Sequence, residues 1–401
     1  MPQNRFGLFS NVLAIERSNG KLVLAGRLIS GMEAHKAHWD GPLTCVCEPA
    51  PEARLEEDTD RLLGGDNVEV DPGDLPFGLV VAPFDSDAAR QTLGGMTVAV
   101  AGIGHRATHL SAWGRELGVP VVYGSEYSLE TRLQIVRAET PGLLRRLRRV
   151  MWERGLEKKQ QAAIRIAAGV QCNGTPTYDV YNRINDNAML FFDGRMGEEM
   201  LATEADQAAR SARLLDGAPL RLAWSGRINR MKGAHLLPAI AREIRATGVP
   251  FRLDVFGNGV LLDALRAETA AAGLDDVLTF HGFVDFYKEL TPYMQREIDI
   301  WICPHVQGDP AGAYMEAFGN GTPILGYDNE ALTGMLARVD AGRAVPIGDA
   351  TALARAVANA HENRKRLVTW SQTARAYAAE HTFEKSFARR MTHIDGILAE
   401  G

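Results

Sequence analysis

The chain has 401 residues, more than one hydrophobic core usually organises, so two domains are expected. Apolar residues make up 46% and charged residues 23% of it, a composition typical of an ordinary globular protein and not of a disordered one. The net charge of −6 argues against a general nucleic-acid binder, and no run of about eighteen uncharged apolar residues could span a membrane. Glu16 and Arg17 interrupt the N-terminus before a signal-peptide core forms, which favours a cytoplasmic location.

The four cysteines show no spacing typical of a zinc site, so we expect reduced, mostly buried thiols. Cys45 and Cys47 fall in a predicted strand, where we expect their side chains on opposite faces and unable to share one metal.

Short β-rich runs alternate with helical stretches through the first half of the chain. Strands are predicted at 78–84, 96–104 and 119–127, with a helix over 109–118 that Gly118 ends. Residues 162–174 lead into a further strand. This alternation predicts a parallel sheet with crossover helices.

The second half repeats the alternation. Strands are predicted at 220–227, 251–259, 277–284, 299–305, 322–329 and 342–349. Helices separate them, and two more are predicted after residue 349.

Two successive α/β sheets predict two Rossmann-like domains that face each other across a cleft. We expect an N-terminal acceptor-binding domain at 1–200, joined by the C-terminal helix 384–401. A nucleotide-sugar-binding domain is expected at 201–383, with a helix and linker at 197–219.

The segment 225–233 (SGRINRMKG) follows a predicted strand and opens a helix, so its N–H groups and positive dipole end face the cleft. Arg227 and Lys232 add two cations beside Gly226. Together they predict a diphosphate site. The alternative is an ordinary loop with two solvated bases.

The segment 305–323 again runs from a strand through a loop to a helix. The amides of Gly312, Ala313 and Tyr314 lie at the predicted helix start, available to anionic oxygens. Glu316 is one turn inside, where its carboxylate can accept hydrogen bonds from two vicinal hydroxyls. A solvent-facing position is the alternative for Glu316, and a helix cap before Pro310 is the alternative for Asp309.

At these residues the sequence resembles the retaining GT-B glycosyltransferases of family 4. Their C-terminal domain carries GR-x(4)-KG, F-x-G-x-V and E-x(7)-E motifs, the last before G-x-P. Here the corresponding segments are GRINRMKG, FHGFV at 280–284 and GDPAGAYMEAFGNGTP, in the same order over about 100 residues. The resemblance covers about half of the chain well.

The resemblance implies that Arg227 and Lys232 hold the diphosphate, that the main chain around Val284 meets the base, and that Glu316 binds the ribose. The family's first glutamate corresponds to Gly308, and Asp309 one residue later is the candidate acidic residue.

The implied activity is transfer of a sugar from a nucleoside-diphosphate sugar to a hydroxyl of a glycan, glycolipid or small metabolite, with retention of configuration. No metal, no cofactor and no covalent enzyme intermediate are implied. A sugar-nucleotide 2-epimerase of the same fold and a non-catalytic nucleotide-sugar or glycan-binding protein remain the alternatives.

The N-terminal half offers fewer motifs. His105 and His109 follow the predicted strand 96–104 and are the candidates for the acceptor side of the cleft. A loop histidine bonded to backbone is the alternative for each.

Residues 143–165 carry eight bases against two acids, with an apolar stripe at helical spacing. Such a helix can lie on an anionic membrane surface, peripheral to the inner face of the membrane. A solvated helix packed on its own domain is the alternative.

Overall fold

The computed structural model describes residues 4–50, 67–308 and 312–400. Two separate β-sheets organise these residues, one from each half of the chain. The central strands of both sheets are parallel, and helices cover their faces, as the alternation of strands and helices predicts. Within these residues, no helix combines the length and the hydrophobicity needed to cross a bilayer.

The N-terminal sheet is built around its long first strand. Its strands in the described residues are β1 Phe6–Glu16, β2 Leu22–Ala25, β3 Leu43–Ala50, β4 Asn67–Val70, β5 Gly78–Val81, β6 Val98–Gly102, β7 Val121–Ser125, β8 Gly169–Asn173 and β9 Ala188–Phe191. The parallel strands lie in the order β5-β3-β1-β6-β7-β8-β9. The strand β2 pairs antiparallel with the end of β1, and β4 pairs with β2. The strand order reverses between β1 and β6, so a crevice opens at their carboxyl ends.

Helices connect these strands and cover the sheet. They are α1 Gly26–His38, α2 Asp87–Gly94, α3 Leu110–Leu117, α4 Leu129–Glu139, α5 Leu143–Ile166 and α6 Thr175–Tyr181. Gly118 ends α3 with a φ of +70°, as the sequence predicts. At the start of α4, the Ser128 hydroxyl caps the helix by accepting a hydrogen bond from the Thr131 amide.

The C-terminal sheet has the order β12-β11-β10-β13-β14-β15. Its strands are β10 Leu220–Ser225, β11 Phe251–Phe256, β12 Leu278–Gly282, β13 Ile300–Cys303, β14 Ile324–Tyr327 and β15 Gly342–Val345. Its helices are α7 Glu204–Leu215, α8 Leu237–Ala246, α9 Leu262–Ala271, α10 Thr291–Glu297, α11 Gly312–Gly319, α12 Glu330–Leu336, α13 Ala350–Glu362 and α14 Arg364–Ala379. The strand order reverses between β10 and β13, which is the switch point of this sheet.

The last helix, α15 Phe383–Glu400, returns to the N-terminal sheet. Its buried side chains Phe387, Met391 and Ile394 pack in the same core as Phe6 and Val98. The prediction of two helices after residue 349 was wrong, because Asn363 and the segment 380–382 break this region into three.

The helix α4 contacts the C-terminal domain through its first two turns and the Ser128 cap that precedes them. The Ser128 hydroxyl donates to Glu330 Oε2 at 2.5 Å, and the Thr131 hydroxyl donates to the Gly308 carbonyl at 2.6 Å. The Gly308 amide donates to Gln134 Oε1 at 3.1 Å. Three side chains of one N-terminal helix therefore hold the loop after β13 and the start of α12.

A second side of α4 is tied to α5 by a buried ion-pair cluster. Arg132 donates to Glu153 at 3.1 Å and to Glu157 at 2.5 Å, and both carboxylates are almost fully buried. Breaking one member of such a cluster leaves a buried charge uncompensated. The helix α4 is thus fixed on both sides.

All four cysteines are free and buried, as expected. The expected orientation of Cys45 and Cys47 was wrong, since residues two apart in a strand share a face. Their sulfurs lie 3.6 Å apart in the N-terminal core.

Candidate active site

The loop after β10 carries the two predicted phosphate-binding cations. It runs from Gly226 to Gly233 and enters α8 through a short 3-10 turn at 234–236. Gly233 has a φ of +68°, and a Cβ there would collide with the carbonyl of Pro304, directly after β13. Glycine alone meets both requirements. The loops after β10 and β13 therefore touch at the switch point, where open α/β sheets bind ligands.

The two cations differ in depth. Arg227 is exposed at the rim, whereas Lys232 is partly buried. Burial lowers the pKa of Lys232 to about 8; Cys303 and Glu316 oppose this shift, and Arg227 adds to it. An anionic ligand would stabilise the enclosed ammonium, because its oxygens would replace the lost hydration. The position and charge of Lys232 therefore suit the binding of a diphosphate.

The pKa of Lys232 predicts a pH dependence. The ammonium is present below about pH 8 and lost above it, so kcat/KM for an anionic donor should fall as pH rises through that value. At saturating donor the loss should move to higher pH, since bound diphosphate favours the ammonium. Initial rates of the wild type and Lys232→Arg test this. The residual activity of Lys232→Arg should not fall as pH rises through about 8. A wild-type kcat/KM that does not change with pH in this range would contradict the assignment of Lys232 to the diphosphate.

Glu316 lies one turn inside α11 and is held by an arginine that the sequence did not predict. Nε of Arg195 donates to Glu316 Oε1 at 3.0 Å, and Nη2 lies 3.0 Å from the same oxygen. Burial raises the pKa of Glu316, while Arg195 and then Lys232 oppose the rise. The Glu316 side chain is only 16% exposed. The Glu316 side chain is therefore largely enclosed, unlike the solvent-facing alternative.

The other predicted donor contacts lie around this carboxylate. Gly312 and Ala313 are partly buried in the first turn of α11, where N–H groups lack helical partners. The Tyr314 hydroxyl lies 3.2 Å from Asn329 Oδ1 in the core, so this side chain is structural and only its amide is a candidate. Val284 is partly buried beside a π-helical turn, Phe286–Leu290. The partly buried Gly226 begins the cation loop.

The predicted acidic residue Asp309 lies outside the described residues. Gly308, which the resemblance aligns with a glutamate, is buried against α4. A Cβ at Gly308 would lie 3.0 Å from Thr131 Oγ1 and 3.2 Å from Glu330 Cβ. The contact between the domains thus occupies the space that a glutamate side chain would need.

The two acceptor-side histidines lie in different surroundings. His109 Nε2 is 2.9 Å from the Phe84 carbonyl, and its ring packs on Trp113 at 4.4 Å. This matches the backbone-bonded alternative. His105 is exposed, with its ring 5.7 Å from Trp152 on α5. Burial and then Arg106 lower its pKa.

Glu126 is a candidate cleft residue that the sequence analysis did not name. It directly follows β7 and reaches solvent, yet burial raises its pKa, Asp193 raises it further and Arg27 opposes the rise. An exposed but closely surrounded carboxyl group is characteristic of a cleft. Its place at the carboxyl end of a parallel strand was the signal available in the sequence.

The architecture and the position of this site define a GT-B fold. The Anabaena protein HepE, solved in complex with UDP, superimposes with a TM-score of 0.64 over 98% of this chain and 99% of that one, at 13% identity. The lipopolysaccharide glycosyltransferase WaaG superimposes with a TM-score of 0.54 over 97% of this chain and 98% of that one, at 14% identity. Two Rossmann-like domains face each other in this class.

The match to a family model lies in the C-terminal half of the chain. Residues 206–377 match the family model of glycosyl transferases group 1. The 2-deoxystreptamine N-acetyl-D-glucosaminyltransferase of Streptomyces fradiae is 31% identical over 165 residues, covering 41% of this chain and 38% of the relative. The phosphatidyl-myo-inositol mannosyltransferase of Mycolicibacterium smegmatis is 32% identical over 36% of this chain and 38% of the relative. The matched region thus spans less than half of each relative.

Proposed function

We propose that this protein is a glycosyltransferase that moves a sugar from a nucleoside-diphosphate sugar to a hydroxyl acceptor. The observation that carries the proposal is the contact of two loops at the C-terminal switch point. It brings Lys232 within electrostatic range of Glu316, beside the first turn of α11. The group 1 match over residues 206–377 supports it.

The mechanism we propose retains configuration at the anomeric carbon. The bond from that carbon to the diphosphate breaks as the acceptor oxygen bonds to the same face. The hydroxyl proton passes to the leaving phosphate oxygen. Arg227, Lys232 and the amides of Gly312 and Ala313 would stabilise the charge on the diphosphate, while Glu316 would hold the ribose hydroxyls.

Relatives narrow the substrates to test. HepE structures contain UDP or UDP-glucose, so UDP-sugars come first among the donors. Named relatives act on 2-deoxystreptamine and on phosphatidyl-myo-inositol, so the acceptors to try are aminocyclitols and inositol lipids.

A thermal-shift screen tests the proposal. A ligand that binds only the folded state stabilises it in proportion to the logarithm of its concentration over its dissociation constant. At least one nucleoside diphosphate should raise the unfolding temperature, and the same nucleoside diphosphate should be released faster from its sugar donor when the acceptor is present. Binding without release would favour the non-catalytic alternative, and interconversion of the sugar without transfer would favour the epimerase.

We also propose that the first turns of α5 rest on an anionic membrane surface, at the inner face of the cytoplasmic membrane. The buried residues of α5 begin only at Glu153. Before it, Leu143, Leu144, Leu147 and Met151 are 81%, 77%, 57% and 64% exposed. Exposed Arg145 and Arg148 accompany them. An unpacked apolar stripe beside bases suits the boundary of acyl chains and anionic headgroups.

Vesicle sedimentation should separate this interpretation from a solvated helix. The wild type is expected to sediment with phosphatidylserine vesicles and to detach as salt rises, because each base contributes about 1 kcal/mol near such a surface. Arg145, Arg148 and Arg154, all changed to Gln, should abolish sedimentation and leave donor hydrolysis unchanged. The control changes three exposed arginines elsewhere, Arg115, Arg183 and Arg266, to Gln. An equal loss of sedimentation in the two triple variants, or no sedimentation of the wild type at low salt, would contradict the membrane contact.

A further inference from the structure

Arg195 belongs to a segment that leaves the N-terminal sheet after β9 and runs along α11. Successive residues of this segment lie against successive positions of the helix: Asp193 against Gly312, Gly194 against Met315, Arg195 against Glu316 and Met196 against Gly319. Met196 is buried, and its carbonyl accepts a hydrogen bond from the Phe383 amide. Contacts of the residues before and after Arg195 therefore fix its backbone beside α11.

The guanidinium of Arg195 joins two parts of the donor site. Its carbon lies 3.9 Å from the ring centroid of Phe286, in the turn that follows Val284. Its Nε and Nη2 both point to Glu316 Oε1. Glu316 Oε2 makes no hydrogen bond within the described part of the chain. One carboxylate oxygen is thus engaged and the other is available.

We propose that Arg195 is a positioning residue of the donor site, which orients Glu316 so that Oε2 can accept a ribose hydroxyl. This inference rests on the proposed function, because it assumes a nucleoside at Glu316. The Arg195 guanidinium contacts both Glu316 and the Phe286 ring, so it links the carboxylate to the turn that follows Val284. The ligand class is a nucleoside diphosphate with a free ribose diol.

Arg195 has a second, electrostatic effect on Glu316. Among the described residues, Arg195 and Lys232 are the charged groups that act on this carboxylate, and both favour its ionised form. Donor affinity that depends on the carboxylate is present above its pKa and lost as pH falls through it. Without Arg195 the pKa of Glu316 would rise further, so the loss would begin at a higher pH.

The experiment measures UDP dissociation constants against pH by calorimetry. Arg195→Ala should weaken UDP binding roughly tenfold, the size expected for loss of a charge-assisted contact, and should move the acid loss of affinity to higher pH. In Arg195→Lys, UDP affinity should fall at the same pH as in the wild type. Only part of the affinity should return, because a lysine lacks the planar guanidinium with its paired N–H donors. Exposed Arg266, changed to Ala, is the matched control and should behave as the wild type.

A double-mutant cycle shows whether Arg195 acts through Glu316. In a Glu316→Gln background the acid loss should disappear, and Arg195→Ala should have little further effect. The preference for UDP over 2′-deoxy-UDP should shrink in Arg195→Ala. Melting curves of each variant establish that it is folded.

The possible failures are distinguishable. If the wild type binds no nucleoside diphosphate, the proposed function fails. If it binds UDP and Arg195→Ala binds equally well at every pH, only the role of Arg195 is overturned. Tighter binding by Arg195→Ala would also overturn it, because Arg195 would then obstruct the site.

Discussion

Replacing Lys232 with Ala is expected to lower turnover by ~10²-fold or more, the usual effect of losing an electrostatic contact to the transition state. Lys232 is the enclosed cation, and water screens it less than it screens the exposed Arg227. Arg227→Ala should therefore have an effect in the same direction but smaller. Turnover is measured as release of nucleoside diphosphate at saturating acceptor.

Arg230 provides the matched control for this prediction. It is an exposed cation in the same loop, between Arg227 and Lys232, and its change to Ala removes the same charge. Near wild-type turnover is expected for Arg230→Ala. If Lys232→Ala and Arg230→Ala behave alike, the loop contributes only general positive potential, and the diphosphate assignment is lost.

Gly308→Glu should reduce turnover about tenfold or more, although the glycosyltransferases that the sequence resembles carry a glutamate at this position. The new side chain has no room between Thr131 and Glu330 while α4 contacts the loop after β13. Overpacking of this kind costs about 1–3 kcal/mol. This cost shifts the equilibrium between formed and broken contact of α4 with the loop after β13 by about 5- to 150-fold toward the broken state. Turnover and donor affinity of the variant, compared with those of the wild type, provide the measurement.

The smaller substitution Gly308→Ala makes the prediction graded, and its effect should lie between those of the wild type and Gly308→Glu. Unfolding curves should show that both domains still fold, because the clash is at the contact between them. A rise in turnover for Gly308→Glu would mean that a donor-binding carboxylate is tolerated here and that the contact with α4 is dispensable.

Much of the fold follows from local pattern. The strands around 98–102, 121–125 and 220–225 were predictable because each is a short apolar run that ends in a turn. The antiparallel addition of β4 to β2 was not, because it depends on contacts between residues far apart in sequence, such as Leu22 and Val70.

The residues of the candidate site also fall into those that the sequence reveals and those that it does not. The cation loop and the start of α11 are contiguous motifs, so their residues could be named from the sequence. Arg195 could not be named, because its partner Glu316 is 121 residues away and no periodic pattern marks the segment that carries it. The tight fit at Gly308 was also hidden, because it arises only when α4 of the other domain is in place.

The position of α4 has a thermodynamic consequence. One side of this helix is bonded to α5 through Arg132, and its first turn is bonded to the donor-side loop through Thr131. If a nucleotide stabilises the contact between Thr131 and Gly308, it therefore also stabilises α5 in its present position. Linkage is reciprocal, so a surface or acceptor that stabilises α5 in this position must strengthen nucleotide binding by the same factor. In a transferase with this connection, each of the two substrates would change the binding affinity of the other before the sugar is transferred.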